Sequence, residues 1–138
     1  MRFTLIDKVL EQDADRIVAI KQLTSAEEYL QDHFATFPVM PGVLMLEAMV
    51  QAARRLVPVE PGIPPMVLGE VKALKYGHFV RPGETLRVEV ERQSADSDAI
   101  WFKGKGLVLG TAHPTPPVAV SGRLLLRAPR VGALRADG

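Results

Sequence analysis

The chain has 138 residues, 47% of them hydrophobic and 24% charged, with a formal net charge of +1. That length suits one domain with one core, the composition excludes a disordered chain, and so small a charge offers no field to a polyanion, so no nucleic acid partner is expected. The absence of cysteine excludes disulfides, thiolate metal sites and a cysteine nucleophile; with no apolar run of roughly 18 residues and no signal-peptide pattern, a cytoplasmic location without membrane insertion is expected.

In chain order, residues 2–10 (RFTLIDKVL) and 16–22 (RIVAIKQ) are β-branched and partly alternating, with polar EQDAD between them. They predict two strands joined by a turn. Thr24 and Ser25 ahead of Glu27 and Glu28 fit a capping box, which predicts a short helix toward Leu30 that delivers Asp32 and His33. From Val43 to Leu56 the residues are valine, leucine, methionine and alanine, broken only by Glu47, Gln51, Arg54 and Arg55. Those four share one stripe of a helix. So apolar a helix is expected to be nearly enclosed, with Gln51, Arg54 and Arg55 reaching water at its far end and Glu47 shielded near its start.

The proline-rich stretch 57–65 stops the helix. Residues 66–74 predict a strand in which Gly69 marks a bulge. Arg81-Pro82-Gly83 is a turn, after which Leu86, Val88 and Val90 alternate with charged residues as in a strand with one wet face. Residues 99–109 and 118–127 predict two more strands around a turn at 110–117, and the tail 128–138 has little to bury and is expected to fray. Two strands, one long buried helix and four strands imply an α+β domain over residues 1–127, an antiparallel sheet wrapped around a central helix.

Glu47 is the residue that demands a reason. A structural one is that an acid near a helix start favours the dipole. A chemical one comes from its neighbours: His33 precedes it on a non-helical approach, and Pro41-Gly42 leaves backbone N–H groups at the helix mouth free to meet a ligand. A base, an acid and a helix N-terminus are the parts that remove a proton beside a carbonyl and expel a hydroxyl. A histidine with a pKa of about 6.5 is largely neutral in the cytoplasm, and burial favours the protonated form of a carboxyl. Phe34, Phe37 and Met40 are candidates for an apolar channel or for core. His78 lies beside the turn at 81–83 and His113 in a proline-bearing surface loop; three histidines so scattered have no metal-ligand spacing, and no metal is expected.

The segment HFATFPVMPGVLMLEAMVQ, residues 33–51, resembles the active-site segment of the 3-hydroxyacyl-acyl-carrier-protein dehydratases, the FabA and FabZ group of hot dog fold enzymes. FTLIDKVLE, KALKYGHFVRPGETL and AIWFKGKGLVL resemble further stretches of that family, so the likeness spans most of residues 3–127. The resemblance implies the hot dog fold and dehydration of 3-hydroxyacyl thioesters to trans-2-enoyl thioesters in fatty acid or related acyl-chain biosynthesis. It implies His33 as the base, Glu47 as the acid, the backbone of Gly42 and Val43 as the holder of the thioester oxygen, and Gln51 as the residue that orients Glu47. It also implies no cofactor beyond the phosphopantetheine arm that carries the substrate, an acyl carrier protein as partner, and a homodimer, or trimer of dimers, whose subunits share each site. Carrier proteins are acidic, which makes Arg54, Arg55, Lys72, Lys75 and Arg81 candidates for docking.

The chain departs from the family where Ala35-Thr36 replace Pro-Gly after the histidine and its phenylalanine, where Asp32 precedes His33, at Phe37, and where Gly77-His78-Phe79 replace Arg-Arg-Pro. These positions surround the base and the loop beside the site, and point to a specialised acyl or polyketide-like pathway. An isomerase of the FabA type is less consistent with glutamate at position 47. Two other readings stay open: a hot dog acyl thioesterase, and a non-catalytic acyl-binding relative.

Overall fold

The structure is a computed structural model that describes residues 4–27, 30, 38–96 and 98–129. Its elements are β1 (Lys8–Gln12), β2 (Arg16–Gln22), α1 (Gly42–Arg54), β3 (Val67–Tyr76), β4 (Thr85–Ala95), β5 (Ala99–Leu109) and β6 (Val118–Arg127). The strands form one six-stranded sheet in the order β1-β2-β4-β5-β6-β3, every neighbouring pair antiparallel. α1 lies across β2, β4, β5 and β6.

The strands follow from alternation. Leu86, Val88 and Val90 of β4, Ile100 and Phe102 of β5, and Leu124 and Leu126 of β6 all turn inward and are buried. Against them α1 sets Met45, Ala48, Met49, Ala52 and Ala53, also buried, at the spacing that lines one face of a helix. Small residues on this face let the helix sit close. At Gly104 an added Cβ would stand 2.9 Å from the Met49 sulfur, so the sheet presents bare backbone under the helix there.

Two expectations need correction: where the first strand begins, and how far α1 is enclosed. The first strand begins at Lys8, not at residue 2, and runs on through Gln12. The extension to Gln12 comes from the Asp13 carboxylate, which accepts the N–H groups of Asp15 and Arg16 at 2.8 and 2.9 Å and tightens the turn, leaving Glu11 and Gln12 free to pair with Val18 and Ile17. Of the short helix expected toward Leu30, the described part shows i to i+3 bonds, Glu27 N–H to Thr24 O and Leu30 N–H to Glu27 O; residues 28–29 lie outside the described residues. Of the tail expected to fray, Ala128 N–H donates to Asp98 O at 3.0 Å, and residues 130–138 lie outside the described residues. The enclosure of α1 is one-sided, because a single sheet covers a single face. Val43 is 67% exposed. Gly69 does fall at a bulge, between Leu68 and Glu70, and a second irregularity between Lys72 and Lys75 includes Ala73 at φ 53°.

Both ends of α1 are positioned by neighbours, but differently. At its C-terminus the Arg92 guanidinium donates to Leu56 O at 2.7 Å and the Gln12 amide to Arg55 O at 2.9 Å. A cation on the last carbonyls also suits the negative end of the helix dipole. The N-terminus has no side-chain cap.

Lys21 ties β2 to the turn that leads toward the site, its ammonium 2.9 Å from Glu27 and 3.5 Å from Asp7. Burial alone would lower its pKa, but the hydrogen bonds and charges of Glu27 and Asp7 outweigh it and hold the ammonium above the ordinary lysine value of 10.5. Its contribution is therefore complete below pH 10.5 and is lost as pH rises through the folded-state pKa. In chemical unfolding, Lys21→Met will be less stable than the parent at neutral pH, and the gap will narrow above pH 10.5. Phe102→Ala, which empties the largest fully buried side-chain position, will cost about 3–5 kcal/mol in the same measurement.

Candidate active site

The site is built around the open end of α1. Pro41 sits at the N-cap with φ −59° and ψ 139°, a conformation its ring favours. Its carbonyl accepts the N–H groups of Leu44 and Met45 at 3.0 and 3.2 Å. The approach is pinned one residue earlier, where Met40 N–H donates to Val80 O at 2.9 Å. Beyond Pro41 the N–H groups of Gly42 and Val43 meet no side-chain cap, and no acidic residue occupies the first turn. Glu47 is thus not a dipole-compensating acid of the helix start, which removes the structural reading of that residue. What remains is a helix end whose partial positive charge, about half an elementary charge, is left for something else.

Glu47 and Gln51, one turn apart, are brought together. The Gln51 amide donates to Glu47 Oε1 at 3.5 Å, and its own carbonyl oxygen accepts the Leu5 N–H at 2.8 Å. The N-terminal segment thereby fixes the amide's orientation, and the amide in turn presents its N–H to the carboxylate. Arg54, on the same stripe, places Nη1 3.8 Å from Glu47 Oε1 while its Nε donates to Met66 O at 3.1 Å. The sequence reading treated Arg54 as a solvent-facing residue; its spacing from Glu47 was the signal for this pairing. Both side chains are about two-fifths exposed, 39% and 41%, so the pair orients more than it stabilises.

That exposure corrects the expectation that Glu47 is enclosed. It lies on the face of α1 turned away from the sheet, where the described residues leave it part-exposed. Met40 is also corrected: it is 1% exposed and belongs to the hydrophobic core, so it lines no channel within this chain. His33, Phe34 and Phe37, with Asp32, lie outside the described residues.

Two features had no signal in the sequence because distant segments make them. The Tyr76 ring, at the end of β3, packs against Gly42: a Cβ on that glycine would stand 2.9 Å from Tyr76 Cε1 and Cζ. His78 and His113, expected to be unrelated, meet edge to face with ring centroids 5.3 Å apart and planes at 89°, within a 490 Å³ cleft that Arg81 and Glu84 also line. Among the described residues no group of three histidine, cysteine, aspartate or glutamate side chains could hold a metal ion. A larger depression, 660 Å³, is lined by Arg16, Glu89, Lys103, Lys105 and Arg123, side chains that alternate away from the helix. It shares no residue with the site.

The family model for ApeI dehydratase (ApeI-like) matches residues 9–108. The chain is 45% identical over 92 residues to the 3-hydroxyacyl-acyl-carrier-protein dehydratase FabZ of Thermus thermophilus, a match covering 64% of this chain and 65% of that protein. It is 44% identical over 127 residues to the FabZ of Clostridium perfringens, covering 89% and 86%. Among solved structures, the dehydratase heterocomplex ApeI:P from Xenorhabdus doucetiae superposes with a TM-score of 0.71 at 18% identity, covering 98% of this chain and 90% of that one. A thioesterase superfamily member from Thermus thermophilus gives 0.64 at 16% identity, covering 88% of each. The architecture is the hot dog fold.

Gln51→Ala will strand the Leu5 N–H as well as release Glu47. Leaving a part-buried donor unpaired costs about 1–3 kcal/mol, to be read as a loss of unfolding free energy; a loss below about 0.5 kcal/mol would mean the bond to Leu5 contributes nothing net.

Proposed function

We propose, because the chain belongs to the ApeI-like dehydratase family and is 44% identical to a 3-hydroxyacyl-acyl-carrier-protein dehydratase FabZ, that it eliminates water from 3-hydroxyacyl thioesters to give trans-2-enoyl thioesters. The observation that carries this reading is the Glu47 carboxyl, oriented by Gln51 and set on α1 beyond an uncapped N-terminus.

In this mechanism the thioester oxygen is received at the N–H groups of Gly42 and Val43. The helix dipole and these donors stabilise the negative charge that grows on that oxygen as the α-proton leaves. His33 takes that proton. The electron pair of the broken C2–H bond forms the C2–C3 double bond, the C3–O bond breaks, and Glu47 gives its proton to the departing hydroxyl, which leaves as water. The thioester bond is untouched. No metal or redox cofactor is required by this electron count, and the phosphopantetheine arm delivers the substrate.

A second subunit completes the site. The face of α1 that carries Glu47 is open, and Val43, Tyr76, Phe79 and Val118 are large apolar residues left 67%, 50%, 55% and 46% exposed. Apolar surface concentrated at the helix mouth and the outer end of β3 is suited to an interface, and closing it would shield Glu47 from water and bring in the partner's base. We assign the partner as a second copy of this chain, in a dimer or a trimer of dimers. The Thermus and Clostridium relatives are named for carrier-protein-bound substrates, and we extend an acidic acyl carrier protein to this chain, docking through basic residues among Arg54, Arg55, Lys72, Lys75 and Arg81, in the cytoplasm. The replacements at Ala35, Thr36 and His78 support a specialised acyl or polyketide-like substrate.

The test is turnover of short and medium 3-hydroxyacyl-pantetheine thioesters, followed by enoyl absorbance together with a free-thiol assay. The parent protein will form enoyl product without releasing thiol, and His33→Ala and Glu47→Gln will each lower kcat by roughly 10² to 10⁴-fold. Thiol release in place of enoyl product would identify a thioesterase. Binding without turnover would identify an acyl-binding protein, and either result overturns the dehydratase.

A further inference from the structure

The thioester cradle described above rests on backbone donors at one helix end, and one side chain already stands against that end. β3 finishes at Tyr76, which pairs with Val120 of β6. The following residue has to be glycine: a Cβ on Gly77 would run into the Val118 carbonyl. Gly77 and His78 then donate their N–H groups to Ala119 O and Val118 O at 2.8 and 3.0 Å. The end of β3 is therefore clamped to β6, and the direction of the Tyr76 side chain is set by backbone, not by loop flexibility.

That direction leads to Gly42. The atoms nearest an added Gly42 Cβ are Tyr76 Cε1 and Cζ at 2.9 Å, with Cδ1 at 3.2 Å. The ring therefore meets the helix mouth along the edge that ends in its hydroxyl, and the hydroxyl-bearing carbon is among the nearest atoms. Two consequences follow. Position 42 admits no side chain, because the ring edge occupies the place a Cβ would take at the helix mouth. The hydroxyl, bonded to Cζ, is carried on that same edge, beside Gly42. Among the described residues it has no hydrogen-bond partner, and Tyr76 is half-exposed within one chain. A residue that only filled the wall would need no polar tip.

We propose that the Tyr76 hydroxyl is a second donor to the thioester oxygen, acting beside the Gly42 N–H. This rests on the dehydratase reading of the site. In the ground state the carbonyl oxygen is a weak acceptor; as the α-proton is removed it gains charge, and a donor already in place strengthens its bond without reorganisation. Burial pushes the hydroxyl above the ordinary tyrosine value of 10.0, so it keeps its proton and serves as a donor across the working pH range. The phenol transfers no proton; it holds one toward the enolate-like oxygen and retains it when water leaves.

The experiment compares the parent with Tyr76→Phe, which keeps the ring against Gly42 and removes only the hydroxyl. The expected result is a kcat lower by roughly 10- to 100-fold with KM nearly unchanged, at an unchanged melting temperature and dimer content. A kcat within about twofold of the parent overturns the proposal, since one lost donor of this kind costs more. Incorporation of 3-fluorotyrosine at position 76 keeps the hydroxyl and makes it more acidic. The alkaline fall of kcat will then move to lower pH, which a wall residue would not cause, and an unmoved profile overturns the proposal. His33→Ala and Glu47→Gln run alongside. If these retain full activity the dehydratase reading itself fails, whereas a parent-like Tyr76→Phe beside inactive His33 and Glu47 variants removes the tyrosine alone.

Discussion

The close approach of α1 to the sheet governs the rest of the structure. Met49 reaches the bare backbone at Gly104, and Ala48, Ala52 and Ala53 leave the helix face flat enough to follow it down. A bulkier pair at this crossing would lift the helix. Its N-terminus would then leave Tyr76, and Gln51 would leave the Leu5 backbone it receives at 2.8 Å. Both contacts depend on the helix lying at this height.

The second constraint is an asymmetry in how the helix ends are satisfied. Backbone carbonyls at the far end are met by Arg92 and Gln12, side chains from β4 and β1. Nothing comparable is offered to the N–H groups of Gly42 and Val43 among the described residues. Orphan backbone donors are normally paired inside a fold. Leaving them to a ligand is the arrangement that makes a helix mouth useful for holding a growing negative charge. Pro41 supports it without interfering, because it shapes the entry and carries no side-chain acceptor to compete.

The third concerns what one chain leaves undone. A single sheet covers one face of α1, so the stripe carrying Glu47 and Arg54 stays at about two-fifths exposure. Desolvation by a second subunit is the physical step that would make that carboxyl a selective acid. Exposed apolar side chains at the helix mouth and at the end of β3 lie where such a subunit would sit. Association and catalysis are on this view one problem, since the surface that is costly to leave in water is also the surface that the reaction needs dry.

Local periodicity determined much of this from the sequence alone. The strands at 16–22, 99–109 and 118–127 have the bounds that alternation predicts, because alternation is written in neighbouring residues and needs no partner to be read. The Glu47–Gln51 pair was legible for the same reason, as one helical turn is always i to i+4, and the likeness of residues 33–51 to the dehydratases tied that pair to a chemistry. The end of β1 lies beyond what hydrophobicity shows, because the Asp13 turn sets where the hairpin closes. Only the tertiary structure decided the rest. Tyr76 against Gly42, and His78 against His113, join segments more than thirty residues apart, and no pattern within either segment encodes the other. The exposure of Glu47 was likewise beyond the sequence: an apolar helix announces that it must be covered, but which of its faces this chain covers depends on where the sheet lies.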